Sequence, residues 1–311
     1  MHRYVIKRAL QIIPIMFGAI FIVFSIMYFT PGDPGTNLLG PSAEQYQIDE
    51  LNHQLGYDRP FAERFIDYIL GVLQGDFGNS YRTKRPVFEE IWNRFPHSLR
   101  LSVSALTLAS IIGVGVGIIS AVKQYSIIDM VSTITALVMS SLPSFWLGLM
   151  LILFFSAKLG WLPASGIGSF KHYVLPTICL AMPTASRLLR MTRSTMLETV
   201  RQDYIRTAKT KGASGISIIF KHALRNALMP IITVMGTQFG VMMGSTIVME
   251  SVFSIPGLGS LVLNSIRAKD IPQAMAAIIF LSFISCAVMF FVDILYAFID
   301  PRIRSRYVSK N

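Results

Sequence analysis

Few of the residue types that do covalent or metal chemistry stand in a useful pattern in this chain. The five histidines are scattered without ligand spacing, so no metal site is expected. Cys179 and Cys286 both lie in apolar runs, without C-x-x-C spacing, and read as buried free thiols. No G-x-x-x-x-G-K-S/T loop is present, which leaves no phosphate cradle for nucleotide hydrolysis. Gly113, Gly115 and Gly117 sit inside an uncharged run with no strand before it. Close packing of helices explains them better than a nucleotide loop. The many serines lack a nucleophile context and suit hydrogen bonding within or between membrane helices.

The informative residues are charged ones at particular places. The stretch "RTAKTKGASGISIIFKHALRNALMP", Arg206 to Pro230, carries five Lys/Arg and no acid. Asp203, Tyr204, Ile205, Arg206, Thr207, Ala208 and Lys209, with Lys211, read as a short helix ended by Gly212. Ile205, Ala208 and Gly212 fall at i, i+3 and i+7 and share a face, and the two small residues permit close approach by another surface. A second helix fits Ile216–Leu228 and runs toward Pro230. On these features alone the stretch is either a basic loop that fixes topology or a docking surface.

Two acids border apolar runs. Glu250 precedes "SVFSIPGLG", and with Phe253, Pro256 and Gly257 it is a candidate external rim or gate, or else a plain interfacial charge. Asp293 lies about two turns before Pro301. It is either a functional intramembrane acid or a structural one that snorkels or pairs with Arg302 or Arg304.

The elements that position these residues are membrane helices. The chain is 52% hydrophobic and 14% charged, against about 25% charged in a soluble domain. Uncharged runs at 9–29, 101–122, 130–157, 226–249 and 271–292 are each long enough to cross a bilayer. The run 130–157 is long enough to tilt as one span, and the last continues past Asp293 to Ile299. The run 9–29 has no small-x-small cleavage site and reads as a retained span.

The segment 173–186 is short and contains Pro176 and Pro183. If it spans, there are six spans with both termini on one side. That side holds the tip, 123–129, 187–225 and the tail, with 17 of the 28 Lys/Arg and four acids, Asp129, Glu198, Asp203 and Asp300. The positive-inside rule makes it cytoplasmic.

The expected organisation is a tip and first span at 1–29, an external segment at 30–98, a core at 99–299 containing a cytoplasmic loop at 187–225, and a tail at 300–311. Phe61, Phe65, Ile69 and Val72 predict an amphipathic helix over Phe61–Leu73 in the external segment.

The basic stretch also resembles the cytoplasmic "EAA" loop of ABC-importer permeases. Arg206-Thr207-Ala208 stands at the E-A-A positions, Gly212 at the glycine and Met229-Pro230 at L-P. The Glu is replaced by Arg, the first Ala by Thr, and the glycine lies farther from the proline. These departures resemble the B-type subunit of the oligopeptide/dipeptide/nickel branch. So do "PGDP" at 31–34, "LGYDRP" at 55–60, "GDFGNSYRTKRPV" at 75–87, "LGWLPASG" at 159–166, "LRMTRSTMLE" at 189–198, "ESVFSIPGLG" at 250–259 and "DPRIR" at 300–304. The resemblance covers essentially the whole chain.

It implies an all-α polytopic permease of the type I importer fold, with six spans in a bacterial inner membrane. Two ATPase subunits holding ATP and Mg²⁺ would dock on the helix at 203–212. A second, homologous permease would complete the pathway, and an extracytoplasmic binding protein would deliver solute against the acidic segment 30–98. The chain itself would bind no cofactor, metal or nucleic acid and would not be an enzyme. Peptides are the commonest cargo of this branch, and nickel chelates and glutathione are carried by close relatives. A secondary transporter would be expected to carry more polar groups at the bilayer midplane. An intramembrane enzyme would need a catalytic constellation, and a channel or scaffold subunit would bind no ATPase.

Overall fold

A computed structural model of the protein describes residues 2–40 and 42–299, so the tail and "DPRIR" lie outside the described residues. Its described residues form helices, with one isolated bridge, Asn79–Pro86. In chain order these are α1 (His2–Phe29), α2 (Pro34–Leu39), α3 (Gln45–Gln54), α4 (Phe61–Leu73), α5 (Val87–Val122), α6 (Ile127–Ser141), α7 (Ser144–Leu151), α8 (Lys171–Val200), α9 (Asp203–Thr210), α10 (Gly215–Ser217), α11 (Arg225–Val252), α12 (Leu258–Arg267) and α13 (Ile271–Ile299). Two π-helical segments, Ile152–Lys158 and Ile218–Leu224, extend α7 and join α10 to α11.

Among the described residues four helices are long and apolar enough to cross a membrane, or five if the bent pair Ile127–Ser141 and Ser144–Lys158 is one span. The expected single span 130–157 is not straight. It turns by 98° where Leu142 precedes Pro143. The proline ring pushes the residue before it out of helical space, and Leu142 is extended, with φ −76° and ψ 128°.

The doubtful segment 173–186 lies wholly inside α8, a continuous 30-residue helix that runs through both prolines and is about 45 Å long. α5 packs along it. A Cβ on Gly113 would lie 2.6 Å from the Ala185 carbonyl oxygen, and one on Gly117 would lie 2.7 Å from Thr192 Cβ. Glycine there lets two helices approach to backbone contact. Gly115 meets nothing within 4 Å.

The segment 30–98, expected to be external, overlaps α5, which starts at Val87 and runs through Pro96. α4 has the bounds its spacing predicts, but it does not sit beyond the end of α1. Phe65 packs edge-on against Phe17, Phe21 and Phe24, and Phe61 against Phe21, Phe24 and Tyr28. Phe17 is about 18 Å along the helix from Phe29, so α4 runs beside the C-terminal half of α1.

The loop after α4 is pinned from the far end of the chain. Tyr81 N–H donates to Asp270 Oδ1 at 3.0 Å, and Ser80 Oγ donates to Asp270 Oδ2. Cys179 is buried in the main core, whereas Cys286 is only half-buried.

Candidate functional site

The basic stretch folds as a short helix with a defined C-terminal cap. α9 places Asp203 in its first turn and Lys209 in its last, each favourable to the helix dipole. Gly212 N–H donates to the Lys209 carbonyl at 3.0 Å and Ala213 N–H to the Ala208 carbonyl at 3.1 Å. This bond pair is a Schellman cap, which needs its Gly212 position left-handed, and Gly212 has φ +81°.

The face expected to dock is not the outward one. Ile205 is 1% exposed and belongs to the main core, and Ala208 is half-buried beside it. Asp203, Tyr204, Arg206, Thr207 and Lys209 are exposed, so the outward face is polar and basic. Nothing lies within 4 Å of a Cβ on Gly212, which is therefore held by its backbone conformation and not by crowding within this chain. The Tyr204 hydroxyl accepts from Asn226 Nδ2 at 2.8 Å and ties α9 to the start of α11.

The helix expected to end near Pro230 does not end there. It continues from Gly215 through the π segment and α11 to Val252. The proline only removes the N–H that would have met the Asn226 carbonyl.

These features assign separate roles to the Gly212 backbone and the residues around it. Gly212→Asn should keep the cap, because Asn tolerates the left-handed region, while Gly212→Val should lose it. Hydrogen exchange at the 203–213 amides checks this. Protection should fall in the order Gly, Asn, Val, and equal protection in all three would refute the backbone account.

Glu250 does not form an exposed rim. It is 0% exposed, and Phe253 and Gly257 are buried with it, while Pro256 is partly exposed. Ser98 Oγ, on α5, donates to Glu250 Oε1 at 2.5 Å, and Ser260 N–H donates to Oε2 at 2.8 Å. Leu258 N–H donates to the same Ser98 oxygen at 2.7 Å. A Cβ on Gly257 would overlap the Glu250 carboxyl group. The carboxylate thus ties α5, α11 and the start of α12 together, and a protein arriving from outside cannot touch it in this conformation. Glu250 and Pro256 both line a cavity of about 360 Å³ that also contains Arg94 and Arg267.

Asp293 pairs with Arg8 of α1 at 3.2 Å. The pairing expected with Arg302 or Arg304 lies outside the described residues.

Sequence reasoning missed a further ion pair. Arg193 on α8 grips Asp129 at the start of α6 with two parallel bonds, Nε to Oδ1 at 2.6 Å and Nη2 to Oδ2 at 2.7 Å. Ser120 Oγ and Tyr125 N–H donate to the same carboxylate. Asp129 was visible as one of few acids on a basic side, but its partner is 64 residues away.

The pair sits one side of a row. Arg190 Nη1 reaches Ser140 Oγ at 3.4 Å and Arg187 Nη1 reaches Gln238 Oε1 at 3.0 Å. The sequence reading put Arg187 in a cytoplasmic loop. In the structure it belongs to α8, beside Ala185 and Leu188, which touch Gly113 in the middle of the uncharged run of α5.

Comparison with known proteins supplies the rest. Residues 113–305 match the family described as "Binding-protein-dependent transport system inner membrane component", and residues 1–102 match its N-terminal counterpart. The chain is 41% identical over 304 residues to the glutathione transport system permease protein GsiC of Escherichia coli (strain K12), covering 98% of this chain and 99% of that one. Equivalent proteins of Shigella dysenteriae and Salmonella choleraesuis match to the same extent. The fold is similar to that of a chain of the MetNI methionine ABC transporter in an inward-facing conformation. The TM-score is 0.57 at 18% identity, over 69% of this chain and 96% of that one.

Proposed function

The chain belongs to the family of binding-protein-dependent transport system inner membrane components and is a permease subunit of an ABC importer, and from that premise we propose that it forms one half of the translocation pathway for short peptides. The observation that carries the cargo class is the 41% identity, along 98% of the chain, to a permease named for glutathione transport. Glutathione is itself a modified tripeptide, and it and dipeptides are the solutes to test first.

In this reading α8 is a sixth span and both termini are cytoplasmic. Support comes from its length of about 45 Å and from the excess of Lys/Arg on the side of α9. A second permease completes the pathway, and two ATPase subunits hold ATP and Mg²⁺. A binding protein delivers solute to the opposite face. α9 is the coupling helix. Its buried Ile205, its Schellman cap and the Tyr204–Asn226 bond make it rigid against α11. Motion of the ATPases would therefore reach the spans without slack.

The test is purification of the tagged protein from its own membranes in mild detergent, with mass spectrometry of what accompanies it. A second permease and one or two ATPases are expected. Arg206→Glu, on the outward face of α9, should reduce ATPase recovery about tenfold, equivalent to roughly 1.4 kcal/mol, with the second permease retained. Recovery of the chain alone, where an ATPase partner is expressed, would overturn the coupling role. Uptake of neither glutathione nor dipeptides by the reconstituted complex would overturn the cargo class.

A further inference from the structure

α8 carries Arg187 and Arg190 at a depth where a charge facing lipid is expensive. Two neighbours fix that depth independently. Ala185 and Leu188, on either side of Arg187, meet Gly113 midway along the uncharged run 101–122 of α5. Arg187 itself bonds Gln238, midway along the run 226–249 of α11. Yet Arg187 is exposed on the surface of this chain.

The guanidinium groups border a cavity of about 450 Å³, shared with Ser194, Thr237 and Gln238. No carboxylate lines this cavity among the described residues. Asp129 is already occupied by Arg193, and Glu198, one turn beyond Ser194 on α8, is not among the lining residues. The lining mixes apolar Met191 and Val234 with two cations and contains no carboxylate, and two such cations at mid-depth are costly against hydrocarbon. It suits a water-filled path at the seam with a second permease.

We infer that Arg187 and Arg190 form a cationic station on the translocation pathway that receives the carboxylate groups of the passing solute. The inference deepens the peptide-import reading and rests on it for the existence of a pathway. A short peptide in transit carries at least one carboxylate that has lost its binding protein. A bidentate guanidinium can replace the lost partner. Two arginines one turn apart let the carboxylate pass from one to the next. Gln238 and Ser140 hold the two side chains in place when no solute is present.

The test does not require the true solute. Ser194→Cys and Thr237→Cys are made one at a time with Cys179→Ala and Cys286→Ser. A control, Ile22→Cys, sits on the exposed apolar side of α1. The assembled importer in proteoliposomes is treated with anionic MTSES or cationic MTSET, each rate being divided by that of a free thiol. The expected result is reaction at 194 and 237 with a preference for MTSES of about tenfold, and little reaction at 22. Arg187→Gln together with Arg190→Gln should remove the preference while leaving both sites reactive.

Two results would overturn the station: no reaction at 194 and 237 with either reagent, which would mean lipid or the partner covers this face, or a preference that survives both glutamines. Uptake of glutathione and dipeptides is followed in the same vesicles. Charge preference without uptake of either would remove the peptide reading and leave the station standing.

Discussion

Glu250→Ala is expected to lower the melting temperature of the detergent-purified protein by roughly 5–8 °C, with Glu250→Gln falling between it and the unmodified chain. Glu250 is fully buried, and its two oxygens accept from Ser98 Oγ and Ser260 N–H. Alanine leaves the buried Ser98 hydroxyl and the half-buried Ser260 N–H without this acceptor, at about 1–3 kcal/mol each, and opens a void beside Gly257. The sum, about 3–5 kcal/mol, corresponds to that shift at about 1.5 °C per kcal/mol, the value that about 2.1 cal/mol/K of unfolding entropy per residue gives for 311 residues. Glutamine keeps the volume and one acceptor but turns an NH₂ toward one of the donors, so its effect is smaller. Gly257→Ala should approach the effect of Glu250→Ala from the other side of the contact, because the added Cβ overlaps the carboxyl group. Differential scanning fluorimetry of the three variants checks the order. A Glu250→Ala protein that melts with the unmodified one would show that this carboxylate is dispensable to the corner.

What could be read from the sequence divides along the range of the interaction that fixes each feature. Local patterns carried far. Hydropathy located α1, α5, α11 and α13, spacing located α4, and the basic stretch located α9 with its terminal glycine. The kink at Leu142-Pro143 was also local, because the residue before a proline leaves helical space, but a long uncharged run was read as one tilted span. The inward turn of Ile205 and Ala208 was misread because a shared face was identified without knowing which body it meets. Ile205 is buried by core residues from other helices.

Glu250 and Asp129 illustrate the limit most clearly. Glu250 is satisfied by Ser98, 152 residues away, and Asp129 by Arg193, 64 residues away. Burial of a carboxylate depends on donors that only the fold brings together. Charge counting likewise placed Arg187 in a loop, since nothing in one sequence showed that α8 continues through it to Val200.

The second large effect is expected at Arg193. Asp129 is 4% exposed and accepts four donors, two of them from Arg193, whose side chain is 28% exposed. Arg193→Ala removes the countercharge from a buried carboxylate, which typically costs about 3–5 kcal/mol. Ser120 and the Tyr125 amide remain to solvate Asp129, so the lower end of that range, about 3 kcal/mol, is expected here. Asp129→Asn strands the arginine instead, but its partial exposure lets water take over, and the loss should be smaller.

The pair also joins α6 to the part of α8 that leads directly into α9, so its loss should loosen coupling as well as stability. Solute-stimulated ATP hydrolysis by the reconstituted complex should fall several-fold in Arg193→Ala relative to the basal rate. A double-mutant cycle separates the pair from its surroundings. If the bidentate contact carries the effect, Asp129→Asn combined with Arg193→Ala should be more stable than Arg193→Ala alone, because no unpaired charge is left buried. Additive losses in the cycle would mean that the two residues act independently, and that α6 and α8 are held together by their apolar contacts.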